Sequence, residues 1–215
     1  DRNSPRTLPL GKVNVITRDQ EGALWFGIYN GGLNRFLESE NRIVTYRHRE
    51  DDPSSLPNDI VNVIYQDEAG EFLVGTHGGI ARLIKEEERF ELWGRDFNEE
   101  VPLPDEIVYA IEEDAGGRLW IGTYNAGIVR YDPETGTLEE YGHDPEDPRS
   151  LSDNLVYNIL EDSRGRIWVA TNNGLNLYRP ESDDFRRFLH RNEDRGSLRS
   201  EEHTSELQSL LISSY

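Results

Sequence analysis

The chain has 215 residues, no Cys, no Met and a formal net charge of −19. With 35% hydrophobic and 10% aromatic residues it can bury a core of domain size, which sets it apart from disordered chains. The acidic balance and scarcity of Lys argue against nucleic acid and anionic membrane surfaces as partners. The lack of Cys excludes disulfides and thiolate chemistry in any compartment, and no apolar run approaches membrane-spanning length.

One line of text recurs four times along the chain. Leu24-Trp25-Phe26-Gly27, Phe72-Leu73-Val74-Gly75, Leu119-Trp120-Ile121-Gly122 and Ile167-Trp168-Val169-Ala170 share a frame, their second positions 48, 47 and 48 residues apart. Five residues before each stands an Asp-x-x-Gly turn: Asp19/Gly22, Asp67/Gly70, Asp114/Gly117 and Asp162/Gly165. A fixed period of this length is the signature of a repeat architecture.

Within one repeat the period is that of strands. Val61-Asn62-Val63-Ile64-Tyr65, Phe72-Leu73-Val74-Gly75-Thr76, Ile80-Ala81-Arg82-Leu83 and Arg89-Phe90-Glu91-Leu92-Trp93 are four short β-rich runs bounded by Gly, Asp, Asn or Pro. No stretch has a convincing helical period. Four strands per repeat, joined by hairpins, predict an all-β fold: a β-propeller fragment of four four-stranded antiparallel blades at about residues 12–47, 60–94, 107–142 and 155–190, within a propeller region 12–198. The expected arrangement is an open arc. Val13, Val15, Val61, Val63, Val108, Ala110, Val156 and Asn158 fall on the innermost strands, and Trp25, Trp120 and Trp168 are expected to be largely buried between blades.

Both ends are read as interruptions of the period. Ser4-Pro5 and Leu8-Pro9 recur 48 residues later as Asp52-Pro53 and Leu56-Pro57, so residues 1–11 read as the end of a preceding blade connection. After Leu198 the register breaks: Glu202-His203 stand where the other repeats begin a strand with Ile60-Val61, Ile107-Val108 or Leu155-Val156. The string from Arg199 resembles an in-frame sequencing-adapter translation, so residues 199–215 are expected to be read-through and not part of the fold.

The repeat text resembles the two-component regulator propeller repeat, roughly Ile-x-x-Ile-x-x-Asp-x-x-Gly-x-Leu-Trp-x-Gly-Thr followed by Gly-Gly-Leu and a tyrosine. The match runs over nearly all of residues 5–198 and is strongest from Asp114 to Tyr131; Leu73 replaces Trp, Ala170 replaces Gly and Ile28 replaces Thr. The resemblance implies an extracytoplasmic, periplasmic sensor propeller of a bacterial membrane receptor whose parent is a histidine kinase, often hybrid, or a diguanylate cyclase. No signature of either output lies in these 215 residues, so the fragment itself is expected not to be an enzyme.

Several residue sets invite a chemical reading. The Asp-x-x-Gly-x-x-Trp string is comparable with the Asp-box of sialidase propellers but differs in spacing by one residue, and an Asp in a tight turn ordinarily holds backbone amides. His48, His143 and His190 follow outer-strand aromatics on different blades, so no shared metal site and no cofactor are expected. Glu50-Asp51-Asp52 and Asp144-Pro145-Glu146-Asp147 lack the ligand spacing of a calcium loop and read as solvated turns.

The loops between second and third strands are where the repeats diverge. Tyr29, Asn30, His77, Tyr124, Asn125, Asn172 and Asn173 lie there, presented beside the blade connections at Asn58-Asp59, Asp105-Glu106 and Asp153-Asn154. Tyrosine offers a face to sugar C–H groups and Asn offers paired donor and acceptor atoms, while Asn-Gly also serves the positive φ of a hairpin. The expectation is a ligand-sensing propeller that recognises a glycan-derived or other small ligand and signals to a cytoplasmic output. The expected partners are that small molecule or oligosaccharide and the remaining blades of the same parent chain, in a dimeric parent, with no nucleic acid and no membrane contact by the fragment. The alternatives are a catalytic propeller, such as a glycan lyase or glycosidase, and a protein-interaction scaffold.

Overall fold

The computed structural model describes residues 7–67, 70–93 and 107–190. Sixteen strands among them form four antiparallel sheets, each with its four strands in sequence order. The first sheet comprises β1 (Val13–Arg18), β2 (Leu24–Ile28), β3 (Gly32–Leu37) and β4 (Arg42–Tyr46), with one 3-10 turn at Glu38–Glu40. The second comprises β5 (Val61–Gln66), β6 (Phe72–Thr76), β7 (Gly79–Ile84) and β8 (Arg89–Leu92). The third comprises β9 (Val108–Glu113), β10 (Leu119–Thr123), β11 (Ile128–Asp132) and β12 (Thr137–Tyr141), and the fourth β13 (Val156–Glu161), β14 (Ile167–Thr171), β15 (Gly174–Arg179) and β16 (Asp184–Phe188). No α-helix occurs among the described residues. The adapter-like tail and the connection through Pro104-Asp105-Glu106 lie outside them.

The chain divides into two compact units, residues 1–111 and 112–215, each described by itself. In the first, Trp25 of β2 is fully buried, lying 6.0 Å from Tyr46 in a stacked pair and 4.7 Å from Phe72 of the next sheet, while Tyr46 meets Phe90 edge-on at 5.7 Å. The second repeats the design: Trp120 stacks on Tyr141 at 5.9 Å and meets Tyr178 of the next sheet at 4.8 Å, and Tyr141 meets Phe185 at 5.5 Å. Aromatic pairs in these offset and edge geometries add to the burial of their area. Trp168 departs from the expectation and is only half-buried, because no described sheet follows β16 to cover it.

The glycine two residues after Trp25, and its equivalent after Leu73, is a socket. A Cβ on Gly27 would lie 2.6 Å from Val61 Cγ1 of the next sheet and 2.5 Å from Val15 Cγ1 of its own. Gly75 repeats this with Val108 and Val63 at 2.9 and 2.5 Å. Val61 and Val108 of the following innermost strands therefore seat on bare backbone. In the fourth sheet, where Ala170 stands in this place, its strand partner is Asn158 instead of Val.

The innermost strands carry a bulge between Val13 and Val15, Val61 and Val63, and Val156 and Asn158. Simple alternation would put Val61 and Val63 on one face. The extra residue turns Val61 toward the preceding sheet and Val63 toward the following one, as their contacts with Gly27 and Gly75 show. The bulge residue itself links sheets: Asn14 Nδ2 donates to Val61 O at 3.0 Å and Asn62 Nδ2 to Val108 O at 3.0 Å.

Candidate ligand-binding site

Each blade has two ends with different chemistry. At one end the first hairpin is closed by the aspartate of the repeat. Asp19 Oδ1 accepts the amides of Glu21 and Ala23, and Oδ2 accepts Trp25 Nε1 at 2.9 Å. Asp114 does the same for Gly116, Arg118 and Trp120, and Asp162 for Arg164, Arg166 and Trp168. Asp67 accepts the Glu71 amide, and with Leu73 in the Trp position its indole bond is replaced by apolar packing. Burial alone would push the Asp19 carboxyl up, but the bonds from Trp25, Ala23 and Lys85 outweigh it and hold the group below the ordinary range. The Arg166 guanidinium holds Asp162 well below that range. The repeated aspartates are structural.

A cavity of about 560 Å³ lies at this end of the second unit, lined by Arg118, Arg164, Arg166 and Arg179 together with Trp120 and Tyr178. Three of its guanidinium groups are engaged, Arg118 by Asp114, Arg166 by Asp162 and Arg179 by Asp184.

At the other end, the loop between second and third strands meets the blade connection. His77 N donates to Ile60 O at 3.1 Å, Asn172 N to Leu155 O at 2.9 Å and Gly127 N to Asn154 O at 3.0 Å. A threonine shapes the loop in three blades: Thr76, Thr123 and Thr171 Oγ1 donate to the carbonyls of Gly79, Gly127 and Gly174, and accept the amides of Gly78, Ala126 and Asn173. In the first blade Ile28 replaces it, and Asn34 Nδ2 reaches the carbonyls of Gly31 and Gly32 instead.

In the first unit, Tyr29 and His77 come together. Their rings meet at 6.4 Å and 89°, and His77 meets Tyr109 of β9 at 6.2 Å and 74°. Tyr29 is exposed. Asn30 sits at φ 54, the left-handed turn position, and its carbonyl accepts Arg47 Nη1 at 2.9 Å. The same Arg47 pairs with Asp59, whose other oxygen accepts the His48 amide. Tyr109 carries no sequence signal of a site, since on an innermost strand it reads as one more β-former.

In the second unit, Tyr124 is exposed and Asn125 lies beside it in the loop. Asn172 joins a polar chain, accepting Tyr157 Oη–H at 3.4 Å and donating to Asp153 at 3.3 Å, while Asn173 Nδ2 donates to Ser152 O at 3.4 Å. The end is thus aromatic in the first unit and hydrogen-bonded in the second.

Two of the outer-strand histidines tie their strand to its connection: His48 Nδ1 is 2.8 Å from Leu56 O, and His143 Nδ1 is 2.6 Å from Leu151 O. Among the described residues no group of three or more His, Asp or Glu is placed to hold a metal. The acidic loops form short side-chain turns, with Asp52 Oδ1 accepting the Ser54 amide and Asp144 Oδ1 the Glu146 amide.

The family model described as "Two component regulator propeller" matches residues 102–125 and 150–173. In these two segments the chain is similar to two-component regulator propeller repeats. No curated protein sequence matches it. Among solved structures, the extracellular domain of the hybrid two-component system BT3049 from B. thetaiotaomicron superposes with a TM-score of 0.71 at 22% identity, covering 86% of this chain and 25% of that one. That of BT4673 gives 0.70 at 22%, covering 91% and 24%. A virginiamycin B lyase from Staphylococcus aureus gives 0.57 at 20%, covering 89% and 58%. At these identities the likenesses show the fold, a propeller of the kind found in extracellular domains of two-component systems. The chain spans about a quarter of the length of those domains. No helix among the described residues is long and apolar enough to cross a membrane.

Proposed function

We propose that these propeller repeats belong to a ligand-sensing domain of a bacterial signal-transduction receptor, on the periplasmic side of the inner membrane. The domain takes a glycan-derived or other small ligand and works with further blades of a longer, dimeric parent that carries the cytoplasmic output. The observation that carries this reading is the aromatic row Tyr29–His77–Tyr109 at the loop end, where turn chemistry requires none of the three. The likeness to extracellular domains of hybrid two-component systems supports the setting. A ligand can shift such a receptor only by binding one arrangement of the parent better than another. Signalling therefore depends on contacts that extend beyond a single blade, as this row does.

The test is isothermal titration of the purified chain with a panel of oligosaccharides. Binding is expected, and Tyr29→Ala is expected to weaken it by roughly tenfold through loss of the stacking face. A panel-wide absence of binding, or a Tyr29→Ala variant that binds as tightly as the wild type, would contradict the reading.

A further inference from the structure

His77 is held between two rings. Tyr29 and Tyr109 meet it from different blades at 6.4 and 6.2 Å, both close to perpendicular, so the imidazole has little rotational freedom. Its contacts are aromatic ones: neither ring nitrogen is hydrogen-bonded to a described residue. A neutral imidazole carries one N–H donor and one acceptor, and a partly buried ring with both uncommitted favours a ligand that satisfies them.

The Arg47–Asp59 pair at this end is already matched. Arg47 Nη1 is shared between Asp59 Oδ2 and Asn30 O, and Asp59 Oδ1 takes the His48 amide. The nearby Asn62 amide is committed on both sides, donating to Val108 O and accepting Asn14 Nδ2 at 3.3 Å. The formal charge of −19 disfavours anions at long range.

We propose that His77 is the specificity-determining residue of this site and that it selects uncharged, hydroxyl-bearing ligands over their carboxylate-bearing counterparts. The proposal rests on the reading of the aromatic row as the ligand site. A hydroxyl both donates and accepts, which matches the two faces of a neutral imidazole; a carboxylate only accepts and leaves the imidazole acceptor facing an anion. Burial lowers the His77 pKa from its ordinary value, so the ring is neutral at pH 7.5.

Titrating the chain at pH 7.5 with neutral oligosaccharides and with uronate-containing oligosaccharides of the same length tests this. Neutral members are expected to bind about tenfold more tightly than the uronates, the worth of one well-made hydrogen bond. His77→Phe, which keeps a ring between the tyrosines, is expected to lose that preference and about tenfold in affinity for the neutral ligand, and His77→Gln, which restores a donor and an acceptor, to recover part of both. Equal binding of neutral and acidic ligands, or His77→Phe binding that matches the wild type, overturns the proposal while leaving the ligand site in place. Absence of all binding, or binding that Tyr29→Ala leaves unchanged, overturns both. Thermal unfolding of each variant confirms that it is folded before its affinity is read.

Discussion

Asp114 accepts the indole N–H of Trp120 at 2.9 Å, and the same bond joins Asp19 to Trp25 and Asp162 to Trp168 at the same distance. One carboxylate thereby closes a hairpin and positions the large aromatic that faces the next blade. Removing it leaves a buried indole N–H and two turn amides without their acceptor. Asp114→Ala is expected to lower stability by about 2 kcal/mol, and Asp67→Ala, whose blade has Leu73 and no indole to hold, by about half as much. Urea midpoints of the two variants check the order.

The same carboxylates set an acid limit. Asp19, Asp162 and Asp183 are all held below their ordinary range, the last chiefly by the Tyr178 hydroxyl. A depressed folded-state pKa contributes stability above the unfolded value of about 3.9, which is lost as pH falls through the folded value. Glu71 and Glu112 behave oppositely, since burial raises both, and they contribute below about pH 4.3 stability that is lost as pH rises through the raised values. Thermal scans are therefore expected to show stability rising modestly on mild acidification from neutral pH and falling steeply below about pH 4. A monotonic rise down to pH 3 would contradict this assignment.

Arg130 sits in a cage of three aromatic rings in the second unit. Its guanidinium lies 5.1, 5.2 and 5.3 Å from the rings of Trp120, Tyr141 and Tyr178, donates to Tyr178 Oη at 2.5 Å, and pairs with Glu139 and Asp183. Arg130→Ala is expected to cost about 3 kcal/mol, since it removes packing and leaves two carboxylates facing the aromatic cluster. Arg130→Met, which retains the stem, is expected to cost less; equal loss in both would assign the effect to charge alone.

The blades were legible from the sequence because Asp, Gly and Trp recur at a fixed period and each has a local task that does not depend on context. The aromatic row was half legible. Tyr29 and His77 stand in loops that depart from the repeat, but Tyr109 sits on a strand, where an aromatic reads as one more β-former. The burial of Trp168 was overestimated for a related reason: its repeat position matches Trp25 and Trp120, and burial depends on a neighbouring sheet that the position cannot report. Tyr46 and Tyr141 illustrate the compensation hidden between repeats. They stack on Trp25 and Trp120, and in the second blade, where Leu73 replaces that Trp, the equivalent outer-strand place holds a buried Trp93.

Equivalent positions also differ in what surrounds them. Ile16 is 63% exposed, whereas Ile64, Ile111 and Ile159 in the same repeat place are 7%, 6% and 3% exposed. Ile16→Ala is expected to change stability by less than about 0.5 kcal/mol, and Ile64→Ala to cost about 3 kcal/mol. Chemical denaturation of the pair measures how strongly a following sheet depends on the one before it.

Ligands are proposed to engage the loop end of the blades. The most direct measurement is a backbone and aromatic NMR titration of the chain with the tightest-binding oligosaccharide of the panel. Shifts are predicted to concentrate at Tyr29, Asn62, His77 and Tyr109, with the turns at Asp19 and Asp67 unmoved. Shifts centred on the aspartate turns, with the aromatic row unmoved, would place the ligand at the opposite end of the blades and overturn the proposal.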